Sequence, residues 1–110
     1  MRGSVGGVPP GPDYQRCEDC GAAIHPHRVT CPVCGSRRLR DERSAGAGVV
    51  YSTTTVHARE GARNVVLVDL EEGFRVMSEV VGMASDDVRI GMGVRAALGD
   101  GDGRIVFHAR

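Results

Sequence analysis

Four cysteines are the residues of this 110-residue chain with the clearest chemical potential. Cys17, Cys20, Cys31 and Cys34 follow the spacing C-x2-C-x10-C-x2-C. A two-residue gap lets both thiolates of a pair reach one ion, about 2.3 Å from each sulfur. A glycine follows each pair, and glycine accepts the positive φ of a turn whose amides point at sulfur. Because four thiolates make a closed tetrahedral shell, the spacing predicts one structural Zn²⁺ and not a catalytic metal.

Other uses of paired cysteines fit this chain less well. Two disulfides would need an oxidising compartment, and residues 1–12 contain no apolar run of the kind found in a signal peptide or membrane anchor. We therefore expect a cytoplasmic protein with reduced thiols. A redox C-x-x-C needs only one pair, whereas a rubredoxin-type iron site uses similar knuckles and stays open as an alternative. His25 and His27 lie between the knuckles, and we interpret them as exposed loop residues because the thiolates already fill the tetrahedron.

The overall composition narrows the possible functions. All 14 basic residues are arginines, so the chain has neither a Schiff-base lysine nor a P-loop lysine. The formal net charge is zero, and four thiolates around a divalent ion would leave that site near −2. Such a balance argues against nonspecific nucleic-acid binding, which usually needs a basic excess. Aromatic residues are only 4% of the chain, so the core is thin and the metal should supply part of the folding free energy.

The sequence around and after the cysteines predicts a mainly β protein. Residues 1–13 are rich in Gly and Pro and read as a flexible leader, residues 14–43 as a rubredoxin-like zinc ribbon, and residues 44–110 as a second domain. Five strands are predicted in that second domain: 49–57, 65–70, 74–81, 94–98 and 104–108. Turns are predicted at 60–64 and 71–73, and a short helical turn at 85–90. This pattern favours a five-stranded OB-fold barrel, with an SH3-like barrel as the competing interpretation.

No catalytic residue is predicted. Ser52 and His57 lie five apart on one strand and should face opposite sides, so they make a poor nucleophile–base pair. Glu71 and Glu72 are adjacent on a turn, where neighbouring carboxylates diverge into solvent. The segment from Asp100 to Asp102 lacks the later glutamate of a calcium loop and is interpreted as a hairpin turn.

Two arginines are weaker candidates for contacting a ligand. Arg59 and Arg63 flank the loop after the first strand of the second domain. Arg makes bidentate contacts with phosphate, so this pair could bind the phosphates of coenzyme A. The simpler interpretation is that both are exposed loop residues that favour solubility.

A four-cysteine ribbon followed directly by an OB-like barrel resembles the rubredoxin-like zinc-ribbon plus OB-fold proteins described as acyl-CoA-associated. The resemblance covers residues 17 to 98, and its matching stretches are 17–21, 31–36, 46–57, 66–73 and 90–95. Two departures concern the ends of the chain. Family members usually carry a helix before the first knuckle, which residues 1–13 cannot form, and the tail after the last strand is short.

The resemblance implies a non-catalytic accessory subunit. Such proteins dock on a thiolase-like or lipid-transfer-protein-like enzyme, stabilise it and help to shape the passage of acyl-CoA. The enzymes carry out thiolysis, condensation or retro-aldol cleavage of acyl-CoA thioesters, including steroid side-chain intermediates. By analogy we expect a heterotetramer with acyl-CoA at or near the interface. The alternative is a single-stranded nucleic-acid-binding module, since OB folds and zinc ribbons both serve that role.

Overall fold

The computed structural model describes residues 9–98 and 104–110. Eight strands occur in these ranges: β1 (Asp13–Cys17), β2 (Ala23–Ile24), β3 (Leu39–Arg43), β4 (Ala47–Ala58), β5 (Gly61–Leu70), β6 (Arg75–Ser78), β7 (Gly93–Leu98) and β8 (Ile105–Ala109). They form a three-stranded sheet in the order β2-β1-β3 and a five-stranded sheet in the order β6-β5-β4-β7-β8. The prediction of a mainly β chain with a ribbon before a five-stranded barrel is confirmed.

The five-stranded sheet closes on itself just after β6. Val80 and Phe107 form a parallel bridge. The Phe107 N–H donates to the Glu79 carbonyl at 2.9 Å, and the Val81 N–H donates to the Phe107 carbonyl at 2.8 Å. A meander of three strands, with the last strand returning parallel to the third, is the connectivity of the OB barrel and distinguishes it from the SH3-like alternative.

The barrel core is built mainly from valine, as the shortage of aromatics requires. Inward positions of β5 alternate strictly, with Val66 and Val68 completely buried and Leu70 nearly so. Val50, Val94 and Phe107 fill the centre from the other strands. Tyr14 of the ribbon stacks on Phe74 of the barrel with ring centroids 4.7 Å apart, which makes one continuous core across the two sheets.

A β-bulge interrupts β4 between Val50 and Ser52. Val50 pairs with Val68 and Ser52 pairs with Leu67, so Tyr51 has no partner of its own on β5. Val50 faces the core, and the extra residue, Tyr51, points outward, where half of its surface is exposed.

Backbone hydrogen bonds to the preceding segment fix the connection between ribbon and barrel. Ser44 is fully buried, and its carbonyl accepts from the Gly11 N–H at 3.0 Å while its own N–H donates to the Pro12 carbonyl at 3.0 Å. The last residues of the predicted leader are thus bonded to this connection. Residues 1–8 and the predicted loop at 99–103, including Asp100 and Asp102, lie outside the described residues.

Two predicted boundaries are wrong. Residues 61–64 belong to β5 and not to a turn, because the hairpin turns only through Arg59 and Glu60. The helical turn is a single 3-10 turn at Ser85–Asp87, shorter than predicted, and no side chain caps it. The hairpin turn at 71–73 and the strands at the other predicted positions are confirmed within a few residues.

Candidate functional site

Each pair of cysteines lies on a tight backbone turn. The Gly21 N–H donates to the Cys17 carbonyl at 2.9 Å, and the Gly35 N–H donates to the Cys31 carbonyl at 2.8 Å. Both glycines have φ of +80°, the left-handed conformation that the sequence predicts for them. β1 delivers Cys17 at its last residue, so the ribbon sheet sets the position of the first knuckle.

The four sulfurs come together as one cluster. All lie within 4.8 Å of one another. The Sγ atoms of Cys17 and Cys34 are 3.6 Å apart, as are those of Cys20 and Cys31. Four sulfurs about 2.3 Å from a central ion would be separated by about 3.8 Å, so the cluster has the dimensions of a tetrahedral zinc shell.

Backbone amides point at the sulfurs of the cluster. The Cys20 N–H donates to the Cys17 sulfur at 3.5 Å, and the N–H groups of Val33 and Cys34 donate to the Cys31 sulfur at 3.4 and 3.5 Å. The amide of Cys20 is the largest influence that lowers the pKa of the Cys17 thiol to about 6, although burial opposes it. The amide of Cys34 likewise lowers the pKa of Cys31. These two buried sulfurs are therefore prepared to be thiolates, the form that binds a metal.

The two histidines between the knuckles lie outside the sulfur cluster. His25 is exposed, and its Nδ1 lies 3.1 Å from the Asp13 carbonyl. The Nε2 of exposed His27 lies 3.1 Å from a carboxylate oxygen of Asp41. Both are surface residues of the ribbon, as predicted.

The polar residues considered for catalysis are not brought together. Ser52 pairs with Leu67 and His57 with Ala62, so these two side chains leave opposite faces of β4. Glu71 and Glu72 also diverge. Glu71 pairs with Arg110 at 3.5 Å, whereas the Glu72 carboxylate turns inward to the connection between ribbon and barrel.

The two candidate arginines sit at one end of the β4–β5 hairpin. Arg59 is exposed in the turn, and Arg63 projects from β5. Arg63 donates to a carboxylate oxygen of Glu79 at 3.2 Å, and Arg104 approaches the same oxygen at 3.2 Å. Arg63 therefore lies in a strand and contacts an acidic partner, whereas the sequence predicts both arginines beside an exposed loop.

Three polar contacts were missed by sequence reasoning. Glu72 accepts hydrogen bonds from Ser44 and Ala45, Asn64 bonds to the backbone of Val80, and the Arg75 guanidinium lies 3.4 Å from the centre of the Tyr51 ring. Each joins residues between 16 and 28 positions apart or lies across strands, so no local pattern signals it. The bulge that exposes Tyr51 has no sequence signature either.

The aromatic residues are poorly placed for stacking nucleobases. Tyr14, Phe74 and Phe107 are buried, and Tyr51 is the one exposed aromatic side chain of the four in the sequence. Single-strand binding by OB folds relies on several exposed aromatics and a cationic groove. Three of the four aromatic side chains therefore belong to the core.

Comparison with known proteins fits both halves of the chain. Residues 14–40 match the family model described as the ChsH2 rubredoxin-like zinc ribbon domain, and residues 41–99 match that of the ChsH2 C-terminal OB-fold domain. The chain belongs to the ChsH2 family. The zinc-ribbon match and the clustered cysteines agree on a structural zinc centre in this family member.

Relatives of this ChsH2-family chain carry two kinds of name. A DUF35 domain-containing scaffold protein from Methanocaldococcus jannaschii is 31% identical over 104 residues, covering 84% of this chain and 74% of the relative. A probable enoyl-CoA hydratase alpha subunit from Thermomonospora curvata is 41% identical over 85 residues. That match covers 73% of this chain but 27% of the relative, so the chain spans about a quarter of that longer protein.

Solved structures show the same ChsH2-family architecture. A chain of the Ltp2-ChsH2(DUF35) aldolase superposes with a TM-score of 0.79 at 35% identity, covering 88% of this chain and 83% of that one. A DUF35-family protein of unknown function from Sulfolobus solfataricus superposes with a TM-score of 0.61 at 17% identity, covering 89% and 75%, which shows the fold alone. Within the described ranges, no helix is long and apolar enough to cross a membrane.

Proposed function

We propose that this chain is a non-catalytic accessory subunit that docks on a thiolase-like enzyme acting on acyl-CoA thioesters. The observation that carries the proposal is the likeness to a chain of the Ltp2-ChsH2(DUF35) aldolase, which extends over 88% of this chain at 35% identity. The scaffold-protein relatives point the same way. The separation of Ser52 from His57 also fits a subunit that leaves the chemistry to its partner.

In this proposal a single zinc ion holds the ribbon, residues 14–43, together, and the ribbon acts as one body with the barrel, residues 44–110, through the packing of Tyr14 on Phe74. Cys17, Cys20, Cys31 and Cys34 are the four ligands. The ion supplies folding free energy and no reaction chemistry, because a closed shell of four thiolates leaves no position for a substrate. Thiols that must stay reduced to bind zinc favour a cytoplasmic location.

The finer features of the proposal concern the assembly and its substrate. Two copies of this chain join two thiolase-like subunits, and acyl-CoA passes at or near the interface. Arg59 and Arg63 are the candidate contacts for the coenzyme A phosphates, since both are exposed at one end of the β4–β5 hairpin. Thioesters of steroid side chains are among the substrates that this class of enzyme would cleave.

The experiment is a tagged pull-down of the full chain from its native host, followed by mass spectrometry of the partner and elemental analysis. We expect a thiolase-like protein in stoichiometric amount and about one zinc per chain. Acyl-CoA cleavage should appear with the pair and be absent from this chain alone. Recovery of nucleic acid or ribosomal proteins in place of an enzyme would contradict the proposal and favour the single-strand-binding alternative.

Coenzyme A contact has a separate test. In the purified complex of both subunits, Arg59→Ala and Arg63→Ala should each raise KM for acyl-CoA and leave kcat nearly unchanged. This is the result expected when a variant loses an interaction that stabilises the bound substrate and the transition state equally. Arg37→Ala, an exposed arginine of the ribbon, is the control. Equal KM values for all three variants would remove the two arginines from the proposal.

A further inference from the structure

Exposed apolar side chains gather on the outer face of the first three barrel strands. We call this surface, made by Tyr51, Val56, Val65, Leu67 and Met77, the outer meander face. Met77 is 72% exposed and Tyr51 50%, and the two valines are 46% and 38% exposed. Of the other exposed apolar residues in the described ranges, Val49 also lies on β4, whereas Val29, Val33, Ile90 and Leu98 lie off these three strands.

Strand register places these side chains on one face of the sheet. Met77 is the cross-strand partner of Leu67, Leu67 is the partner of Ser52, and Val65 is the partner of Thr54. Cross-strand partners on one face lie about 4.5–5.5 Å apart, so Met77 and Leu67 are neighbours. On β4 the hydroxyl-bearing Ser52 and Thr54 lie between Tyr51 and Val56 on the same face. A grouped apolar surface of this kind marks an interaction site, whereas isolated exposed residues do not.

Tyr51 is fixed in place before any partner arrives. The bulge turns it outward, and the Arg75 guanidinium covers one side of its ring at 3.4 Å. Arg75 is held in turn by an ion pair with Asp69, its cross-strand partner. A tyrosine already held in one conformation loses little entropy on binding, which is the property of an interface anchor.

The end of the outer meander face is cationic where a partner would meet it. The Glu79 side chain is 18% exposed and lies beneath Arg63 and Arg104, whose side chains are 55% and 51% exposed. The two arginine side chains are therefore more exposed than the carboxylate that they share. They border a shallow depression of about 410 Å³ that Val56, Val65 and Met77 also line.

We infer that the outer meander face is the surface by which this chain docks on its thiolase-like partner. The inference rests on the function proposed above and names the contact surface. Tyr51, Met77 and the neighbouring Arg63 belong to residue types enriched in protein interfaces. The arrangement fits a partner surface with an apolar centre and carboxylates at the edge that faces Arg63. A second copy of this chain would bring the same arginines to the contact and lacks this complementarity.

The test measures binding of the purified thiolase-like subunit, identified as above, to variants of the full-length zinc-loaded chain. Met77→Glu and Tyr51→Ala should each raise Kd by at least about tenfold, since both remove a central anchor. Val33→Glu is the matched control, because Val33 is 73% exposed and Met77 72%, yet Val33 lies in the second knuckle. It should change Kd by less than about twofold. Zinc content and circular dichroism confirm that each variant folds.

The outcomes separate this inference from the proposed function. If the wild-type chain captures no thiolase-like subunit, the proposed function fails and this inference fails with it. If the wild-type chain binds and both variants bind equally well, the function stands and the docking surface is wrong. Loss of binding only in Val33→Glu would place the contact on the ribbon. A dimer of this chain that Met77→Glu dissociates, with partner binding intact, would mean that a second copy occupies the surface.

Discussion

The Ser44 hydroxyl donates a hydrogen bond of 2.7 Å to the Glu72 carboxylate, which joins the ribbon–barrel connection to the turn between β5 and β6. The second carboxylate oxygen of Glu72 accepts from the Ala45 N–H at 2.9 Å. The Ser44 oxygen also accepts from the Gly46 N–H at 2.9 Å, so the fully buried hydroxyl both donates and accepts a hydrogen bond. Glu72, predicted to be a solvated turn residue, instead fixes the connection.

We expect Glu72→Gln to lower the free energy of unfolding by about 1–2 kcal/mol, because two charge-assisted hydrogen bonds become neutral and one lacks a suitable acceptor. Denaturant unfolding measures the change. Glu71→Gln is the control, since the exposed Glu71 side chain makes a long ion pair with Arg110 among the described residues, and it should cost less than about 0.5 kcal/mol. Equal losses in both variants would show that Glu72 has no special role in the connection.

The Glu72 carboxylate should also make stability depend on pH. Burial opposes its ionisation, but the hydrogen bonds from Ser44 and Ala45 outweigh burial and hold its pKa below the ordinary value of about 4.3. The contribution of Glu72 to the free energy of unfolding is thus complete above about pH 4.3. It is lost as the pH falls through the lower pKa of the folded state.

The measurement is the difference in Tm between the wild-type chain and Glu72→Gln, followed from pH 7 to pH 3. We expect the difference to shrink below about pH 4.3, because the variant cannot titrate at this position. Acid releases the metal from both proteins, so the difference between their Tm values still reports on residue 72. A difference that stays constant over the whole range would contradict the assignment.

Asn64 holds the point where the barrel closes. Its side-chain amide donates to the Val80 carbonyl at 2.8 Å, and its amide oxygen accepts from the Val80 N–H at 2.7 Å. Asn64→Ala should lower the free energy of unfolding by about 2–4 kcal/mol, because two buried backbone groups lose their partner. Thr54→Ala, at an exposed position of the neighbouring strand, should cost less than about 0.5 kcal/mol. Thermal and denaturant unfolding measure both changes. Equal losses of stability in Asn64→Ala and Thr54→Ala would refute this role of Asn64.

Removing one metal ligand should unfold the ribbon. Cys17→Ser and Cys34→Ser should lose the bound zinc and lower Tm by at least about 10 °C, because binding free energy at such sites is folding free energy. Elemental analysis and calorimetry measure the two effects. Val33→Ala, between the cysteines of the second knuckle, should keep its zinc. Unchanged metal content in the two serine variants would exclude Cys17 and Cys34 as ligands.

The sequence was sufficient to predict the ribbon, the five barrel strands and the four clustered cysteines, because each follows from local spacing or alternation. It was misleading at residues 61–64, where β5 runs past the barrel and both of its faces meet solvent for three residues. With no buried face there is no alternation to read, and Gly61 and Asn64 suggest a turn. Asn64 is in fact the buried end of the strand's alternating pattern, which only its contact with Val80 explains.

The docking surface could not be predicted from the sequence because it depends on how strands β4, β5 and β6 pair with one another. Val65 and Met77 read as ordinary strand residues, and only the pairing of three strands gathers them with Tyr51. The connection through Glu72 was hidden for a similar reason, since Ser44 lies 28 positions away in the chain.

The bulge in β4 has a consequence for changes in chain length. Removing Tyr51 would leave Val50 facing inward and Ser52 outward, the alternation of an uninterrupted strand. A single-residue deletion inside a strand normally reverses every following side chain, but here it would restore a regular ladder and keep the core intact. The inward positions of β4 therefore do not depend on Tyr51, so a deletion of this one residue removes the exposed ring and leaves the core-facing pattern of the strand unchanged.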